Sequence, residues 1–406
     1  MQHSRYSERT LLLLLASVQF THILDFMVIM PLGEQLMREL AISPTQFSHL
    51  VAAYTISAGV VGLLTAPFMD RFDRRKVLLL VYAGFICGTV ACALSQTAGT
   101  LLLARAVCGA FGGVSGATVM AIVGDIVPPQ RRASGMGVIM AAFATAAALG
   151  VPFGLFLAQK FRWEMPFFLV AGVGVCVWLL ILLMLPPIRA HLDDSPMHHL
   201  QEFFDLLRDT NAGRALMFMS ALVMGHFAII PLFAPYLVTN MGLPEHRLFL
   251  VYMVGGVCSA CTAPIFGKLA DNFGRLRVFS ILICVASVVT LWITNSGVLP
   301  MWAVLLSAGL FFIFASGRFI PGQAIVSLAV PAKRRGSFMS LVSCTRDLTS
   351  GVTSALCGWL VSKSPTGELV GFNKLGWLAV TMSFVSLWLA SRVHVREVHH
   401  PKTASH

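Results

Sequence analysis

Charge is scarce in this chain. Lys, Arg, Asp and Glu make up 12% of its 406 residues, about half the share of an ordinary soluble domain. With a mean hydropathy of +0.79 as well, a water-soluble globular class is excluded. Acids are scarcest, 18 against 29 Lys and Arg, so the net charge is +11. That excess forms no basic face for nucleic acid. It sits in short loops, 71–76, 130–132, 208–214, 268–277, 333–335 and the segment from Arg392, while loops near 33–45, 97–98, 240–247 and 298–299 hold little. This positive-inside bias predicts that the basic loops and both termini are cytoplasmic. Metal and redox sites lack support too. All nine cysteines fall in apolar runs, and Cys258-x-x-Cys261 has no second pair, so they read as small packing residues. His198, His199, His394 and the histidines after it read as solvated. The glycines Gly109, Gly112, Gly113 and Gly116 follow no strand, which excludes a phosphate cradle and leaves close helix packing. No nucleophile stands with a base in a catalytic setting, so no enzyme, cofactor or metal is expected.

Long apolar runs fill the space between the loops. They cover 10–32, 46–68, 77–96, 99–124, 134–158, 166–186, 213–239, 248–268, 278–297, 300–328, 336–361 and 373–391. Each is near the ~20 residues a helix needs to cross the hydrocarbon core. The first is too long for a cleaved signal peptide and precedes no small-residue cleavage site, so it reads as a retained span. Residues 187–212 differ in composition. Leu200, Phe203, Phe204 and Leu207 recur there at helical spacing, which predicts a short amphipathic helix on the membrane surface.

The two halves repeat each other. Asp70-Arg71-Phe72-Asp73-Arg74-Arg75-Lys76-Val77 returns as Asp271-Asn272-Phe273-Gly274-Arg275-Leu276-Arg277-Val278. Val127-Pro128-Pro129-Gln130-Arg131-Arg132-Ala133-Ser134 returns, in the same order, as Val330-Pro331-Ala332-Lys333-Arg334-Arg335-Gly336-Ser337. Such internal repetition among spans points to a transporter. The pattern resembles the major facilitator superfamily over essentially the whole chain. That family's Gly-x-x-x-Asp-Arg-x-Gly-Arg-Arg/Lys signature has Ala66 and Asp73 in place of its glycines in the first copy, whereas the second copy keeps Gly267 and Gly274.

The resemblance implies an all-α membrane protein of twelve transmembrane helices in two pseudo-symmetric six-helix bundles, with both termini cytoplasmic. The bundles would be 1–186 and 213–392, joined by a linker over 187–212 and followed by a tail over 393–406. It further implies a cytoplasmic gate built from Asp70, Arg71, Arg74, Asp125, Gly267, Asp271, Gly274 and Arg275. The aspartate would cap a helix and an arginine would meet the acid at Asp125, a position held by Leu328 in the second half. Arg105-Ala-Val-Cys-Gly109 looks like an element of proton-coupled members. Gly150-Val151-Pro152-Phe153-Gly154 looks like a variant antiporter motif of sugar-efflux-type and drug:proton exporters.

Ionisable groups at membrane depth are costly and mark function by default. Asp25 lies roughly 22 Å along the first span at 1.5 Å per residue, and Arg105 enters from the other side to similar depth. His22 shares the face of Asp25. Asp25, Arg105 and His22 form the candidate proton-coupling set, since an apolar cavity favours a neutral carboxyl and a neighbouring arginine a charged one. A permanent structural pair is the alternative. Arg318, Arg346 and Asp347 sit near the midplane of the second half, and His226 matches Asp25 in place. These four are candidate substrate residues, with Asp347 expected to neutralise Arg318 in part, or to form only an inter-helix salt bridge.

The expected protein is a monomeric proton-coupled exporter of small organic solutes or drugs in the inner (cytoplasmic) membrane. Its partners would be protons, solute and lipid, with no nucleic acid. Uptake of an anionic metabolite is the second reading. A lipid or lysolipid transporter, or a non-transporting sensor, is the third.

Overall fold

The computed structural model describes residues 6–69, 71–128, 131–188, 205–206, 208–331 and 334–394, less the side chains at 66, 67, 69, 132 and 133. The amphipathic linker segment, Asp70 and the tail beyond His394 lie outside these described residues. Among them, eleven helices are long and apolar enough to cross a membrane. They are Glu8–Val28, Pro44–Thr65, Arg74–Ala93, Ala98–Ile126, Ser134–Lys160, Met165–Met184, Thr210–Thr239, Glu245–Phe273, Arg275–Thr294, Met301–Ser327 and Phe372–Arg392. The expected run over 336–361 is a helix, Arg335–Gly358, but it is too polar to join them. Arg346, Asp347 and a file of Ser and Thr from Ser337 to Ser354 lower its hydropathy. Ordinals below count long helices in chain order, with Arg335–Gly358 as the eleventh.

Local chemistry sets the helix ends. The Ser7 side chain accepts from Thr10 N at 3.3 Å, and Thr97 with Thr100 closes a capping box on the fourth helix. The first helix stops at Val28 before the short helix Gly33–Glu39, and the seventh breaks after Phe227, resuming at Ile230. Both repeats thus interrupt their leading helix at the matching place. Pro231 and Pro235, which lack backbone donors, follow the second break.

The second and eleventh helices pack antiparallel along most of their length. A Cβ on Gly358 would meet Ser48, on Gly351 would meet Thr55 and Ile56, on Gly59 would meet Leu348, and on Gly62 would meet Cys344. Small residues here let two polar-bearing helices touch backbone to backbone. The fifth helix makes the matching crossing to the eighth, where Gly256 faces Ala148.

Ion pairs between the halves lie at one end. Arg38 binds Glu245 at 2.9 Å, and Lys363 binds Glu34 at 2.7 Å. Gln159 donates to the Glu245 carbonyl and Thr45 to that of Gly358, each at 2.7 Å. Lys363 belongs to a small antiparallel hairpin, Ser362–Lys363 with Leu369–Val370, which Asn240 clasps through both backbone groups of Leu369. This end is opposite the basic loops.

Candidate functional site

In the first half, three helices converge on one carboxylate. Asp25 and Arg105 are both 0% exposed, with Arg105 Nη1 2.8 Å from Asp25 Oδ2 and 3.2 Å from the Asp25 carbonyl. Thr89 of the third helix donates to Asp25 Oδ1 at 3.2 Å, a partner with no signal in the sequence. The Arg105 guanidinium lies 4.3 Å from the Tyr54 ring centroid, a cation–π contact. An ion pair sealed in this way is bought with desolvation, and removing one partner of such a pair costs about 3–5 kcal/mol.

Beside the pair lies a set of buried polar atoms without partners. These are Arg105 Nε and Nη2, both ring nitrogens of His22, Tyr54 Oη and Gln19 Oε1. A Cβ at Gly112 would sit 2.7 Å from both His22 Cδ2 and Tyr54 Oη, so the missing side chain makes their room. Gly109, one turn earlier, has no such tolerance. Its Cβ would strike the Tyr54 carbonyl, so the fourth helix would have to leave the second. Gly109→Ala is therefore expected to destabilise the fold by about 1–3 kcal/mol, read as a lower melting temperature of purified protein.

The second half departs from expectation. Asp347 does not reach Arg318; it pairs with its own neighbour, Arg346 Nε to Asp347 Oδ1 at 3.7 Å. The Arg346 side chain is 48% exposed, whereas Arg318 is buried at 3%. Arg318 follows a π-helical turn, Phe312–Ser316, which turns it into the bundle, where Nη1 donates to Ser383 Oγ at 2.5 Å and Nε to the Ala315 carbonyl at 3.2 Å. His226 stands at the break of the seventh helix. Its ring stacks on Phe311 and meets Phe319 and Phe227 edge-on, and its Nδ1 has no partner. Thr89, Tyr54, Gln19 and Ser383 were missed from sequence because a neutral polar residue inside an apolar run carries no periodic signal.

The two copies of the gate motif are built differently. In the first, Arg74 meets Asp125 at 2.9 Å, while Arg71 is exposed over Phe68. Asp73, standing where the motif has glycine, caps the third helix and accepts from Arg75 N at 3.0 Å and Ile188 N at 3.1 Å. In the second, Gly274 begins the ninth helix at φ +90, a conformation that favours glycine. There Asp271 and Arg275 are only 4.0 Å apart on the surface, and Gly267 has open space around it. Gly150, Pro152 and Gly154 lie at and after a π-helical turn, Ala146–Gly150, with Gly150 against Leu24 and Gly154 against Val28 of the first helix. No cluster of metal-binding side chains occurs among the described residues.

Long apolar helices around buried, partly unsatisfied ionic groups at mid-depth define a multi-pass membrane transporter. The chain belongs to the Major Facilitator Superfamily, whose profile matches residues 15–352 and again 215–406. It is 24% identical to the uncharacterized MFS-type transporter YceJ of Bacillus subtilis (88% of this chain, 91% of that protein). It is 23% identical to the inner membrane transport protein YajR of Escherichia coli (75% and 68%). Among solved folds, a D-xylose–proton symporter superposes with a TM-score of 0.76 at 16% identity over 96% of this chain and 98% of that one. A bacterial homolog of the human lysosomal transporter Spinster, inward-facing and unoccupied, gives 0.74 at 17% identity over 96% and 98%.

Proposed function

We propose that this protein is a proton-coupled secondary transporter that exports small organic solutes or drugs across the inner membrane by alternating access. The observation that carries the reading is the sealed Asp25–Arg105 pair with unpartnered polar atoms beside it. A proton on Asp25 removes the charge that holds Arg105, and the guanidinium, already over the Tyr54 ring, then turns toward the His22 side. Deprotonation restores the pair. Two arrangements of one buried pair, selected by one proton, supply the two-state element that coupling needs.

In this reading Arg335–Gly358 is the twelfth span, and the bundles are 1–186 and 213–392 with the linker 187–212 between them. Both termini and the basic loops are cytoplasmic, and the protein works as a monomer. The tight contacts at the opposite end then make the structure inward-facing, closed to the outside. The Arg74–Asp125 pair anchors the cytoplasmic gate of the first half; the second copy has a surface pair in its place. Solute binds between the halves near His226, Arg318, Arg346 and Asp347. The fifth helix, with its π-helical turn, Pro152 just after it, and Gly150 and Gly154 against the first helix, favours export.

Uptake of an anionic metabolite uses the same parts in reverse, and Arg318 without a carboxylate partner favours an anion. Everted membrane vesicles with an imposed pH gradient separate the directions. Export predicts gradient-driven accumulation of solute inside them, whereas accumulation only in right-side-out vesicles would establish uptake.

A further inference from the structure

The arginines at membrane depth divide unequally. Arg105 has Asp25 and Arg346 has Asp347, but Arg318 has only a hydroxyl and a carbonyl. A cation sealed in protein at mid-membrane is costly unless an anion joins it. Its neighbours are arranged to receive one. A Cβ at Gly225 would lie 2.9 Å from Ser383 Oγ, which places the Ser383–Arg318 bond against the seventh helix one residue from His226. The His226 ring also lies 5.2 Å from that of Phe319, the residue after Arg318. A neutral imidazole offers one N–H donor, and Arg318 Nη2 makes no hydrogen bond among the described residues, so each has a donor to give a carboxylate oxygen. Phe227 and Phe319, each only partly buried, and the buried Phe311 wall the same place with aromatic surface.

We infer that Arg318, held by Ser383, and His226 seat the carboxylate of an organic monoanion whose apolar, ring-sized body lies against these phenylalanines. This deepens the transport reading and rests on it: the solute is a lipophilic carboxylate, and its charge cancels that of Arg318 on binding. Ser383 positions Arg318 and leaves Nη2 for the ligand.

Binding of benzoate, phenylacetate and 2-naphthoate to the purified full-length protein, each compared with its carboxamide, tests this without transport. At least one carboxylate is expected to bind about ten-fold or more tighter than its amide. Arg318→Met should abolish that preference while leaving the melting temperature of the unliganded protein unchanged or higher, because an uncompensated charge has gone. Arg318→Lys, which keeps the charge without the fork, should retain only part of it. Equal affinity for acid and amide, or a preference that survives in Arg318→Met, would overturn the inference. So would chloride or sulfate competing as well as the aryl acids do, which marks an adventitious anion seat. Proton-driven transport confined to uncharged solutes would remove this inference and leave the transport reading standing. A carboxylate preference without proton coupling would do the reverse.

Discussion

Asp25→Asn is expected to abolish concentrative transport while downhill movement of the same solute continues. Asparagine keeps the size of the side chain and an acceptor for Thr89 and Arg105 but cannot exchange a proton at neutral pH. Arg105 is then held in one arrangement at all pH values. Proteoliposomes with and without a pH gradient separate the two modes. A gradient that still drives accumulation in Asp25→Asn would remove Asp25 from coupling. Leaving one charge of the pair unmatched also costs about 3–5 kcal/mol, so a companion variant is needed. Asp25→Asn combined with Arg105→Gln removes both charges and should recover much of the lost thermal stability without recovering coupling. Coupling restored in the double variant would contradict the account.

Gly59→Val is expected to drive the molecule out of the conformation described here. A Cβ at Gly59 lies 2.6 Å from Leu348 Cγ, 2.9 Å from Leu348 N and 3.0 Å from the Cys344 carbonyl. Backbone atoms cannot step aside, so the second and eleventh helices must part. Overpacking of this kind costs about 1–3 kcal/mol, enough to shift a two-state population roughly five- to 150-fold. Solvent labelling of single cysteines at the two faces should show the Arg38–Glu245 end opening. Gly172→Ala, on the sixth helix, is the control, because nothing lies within 4 Å of its added Cβ. Equal labelling of Gly59→Val and the parent would mean that this helix pair does not govern the closed end.

The sequence made the class of fold legible because membrane spanning is written in long runs and repetition in charged loops. The run over 336–361 was legible too, although its helix, Arg335–Gly358, is more polar than the other eleven. Ser350, Thr353 and Ser354 are buried inside the protein while Arg346 is half-exposed, so the helix's composition reports its packing. Depth along a helix was also readable, which put Asp25 and Arg105 at one level. Azimuth was not. Asp347 could face Arg318 or fold back on Arg346, and only the eleventh helix's rotation against the second decides. Asp73 looked like a degenerate glycine, yet its carboxylate caps the third helix by itself. The Lys363–Glu34 and Arg38–Glu245 pairs join distant loops, and neither loop alone hints at the other.

The most direct test of the central claim needs no known solute. Spin labels at Lys76 and Leu276, on the basic-loop ends of the third and ninth helices, report the separation of the halves at that end. Their distance distribution, measured at acidic and alkaline pH, should shift between two populations in the parent protein and stay fixed in Asp25→Asn. The same pH response in Asp25→Asn would place the proton switch elsewhere and contradict the account.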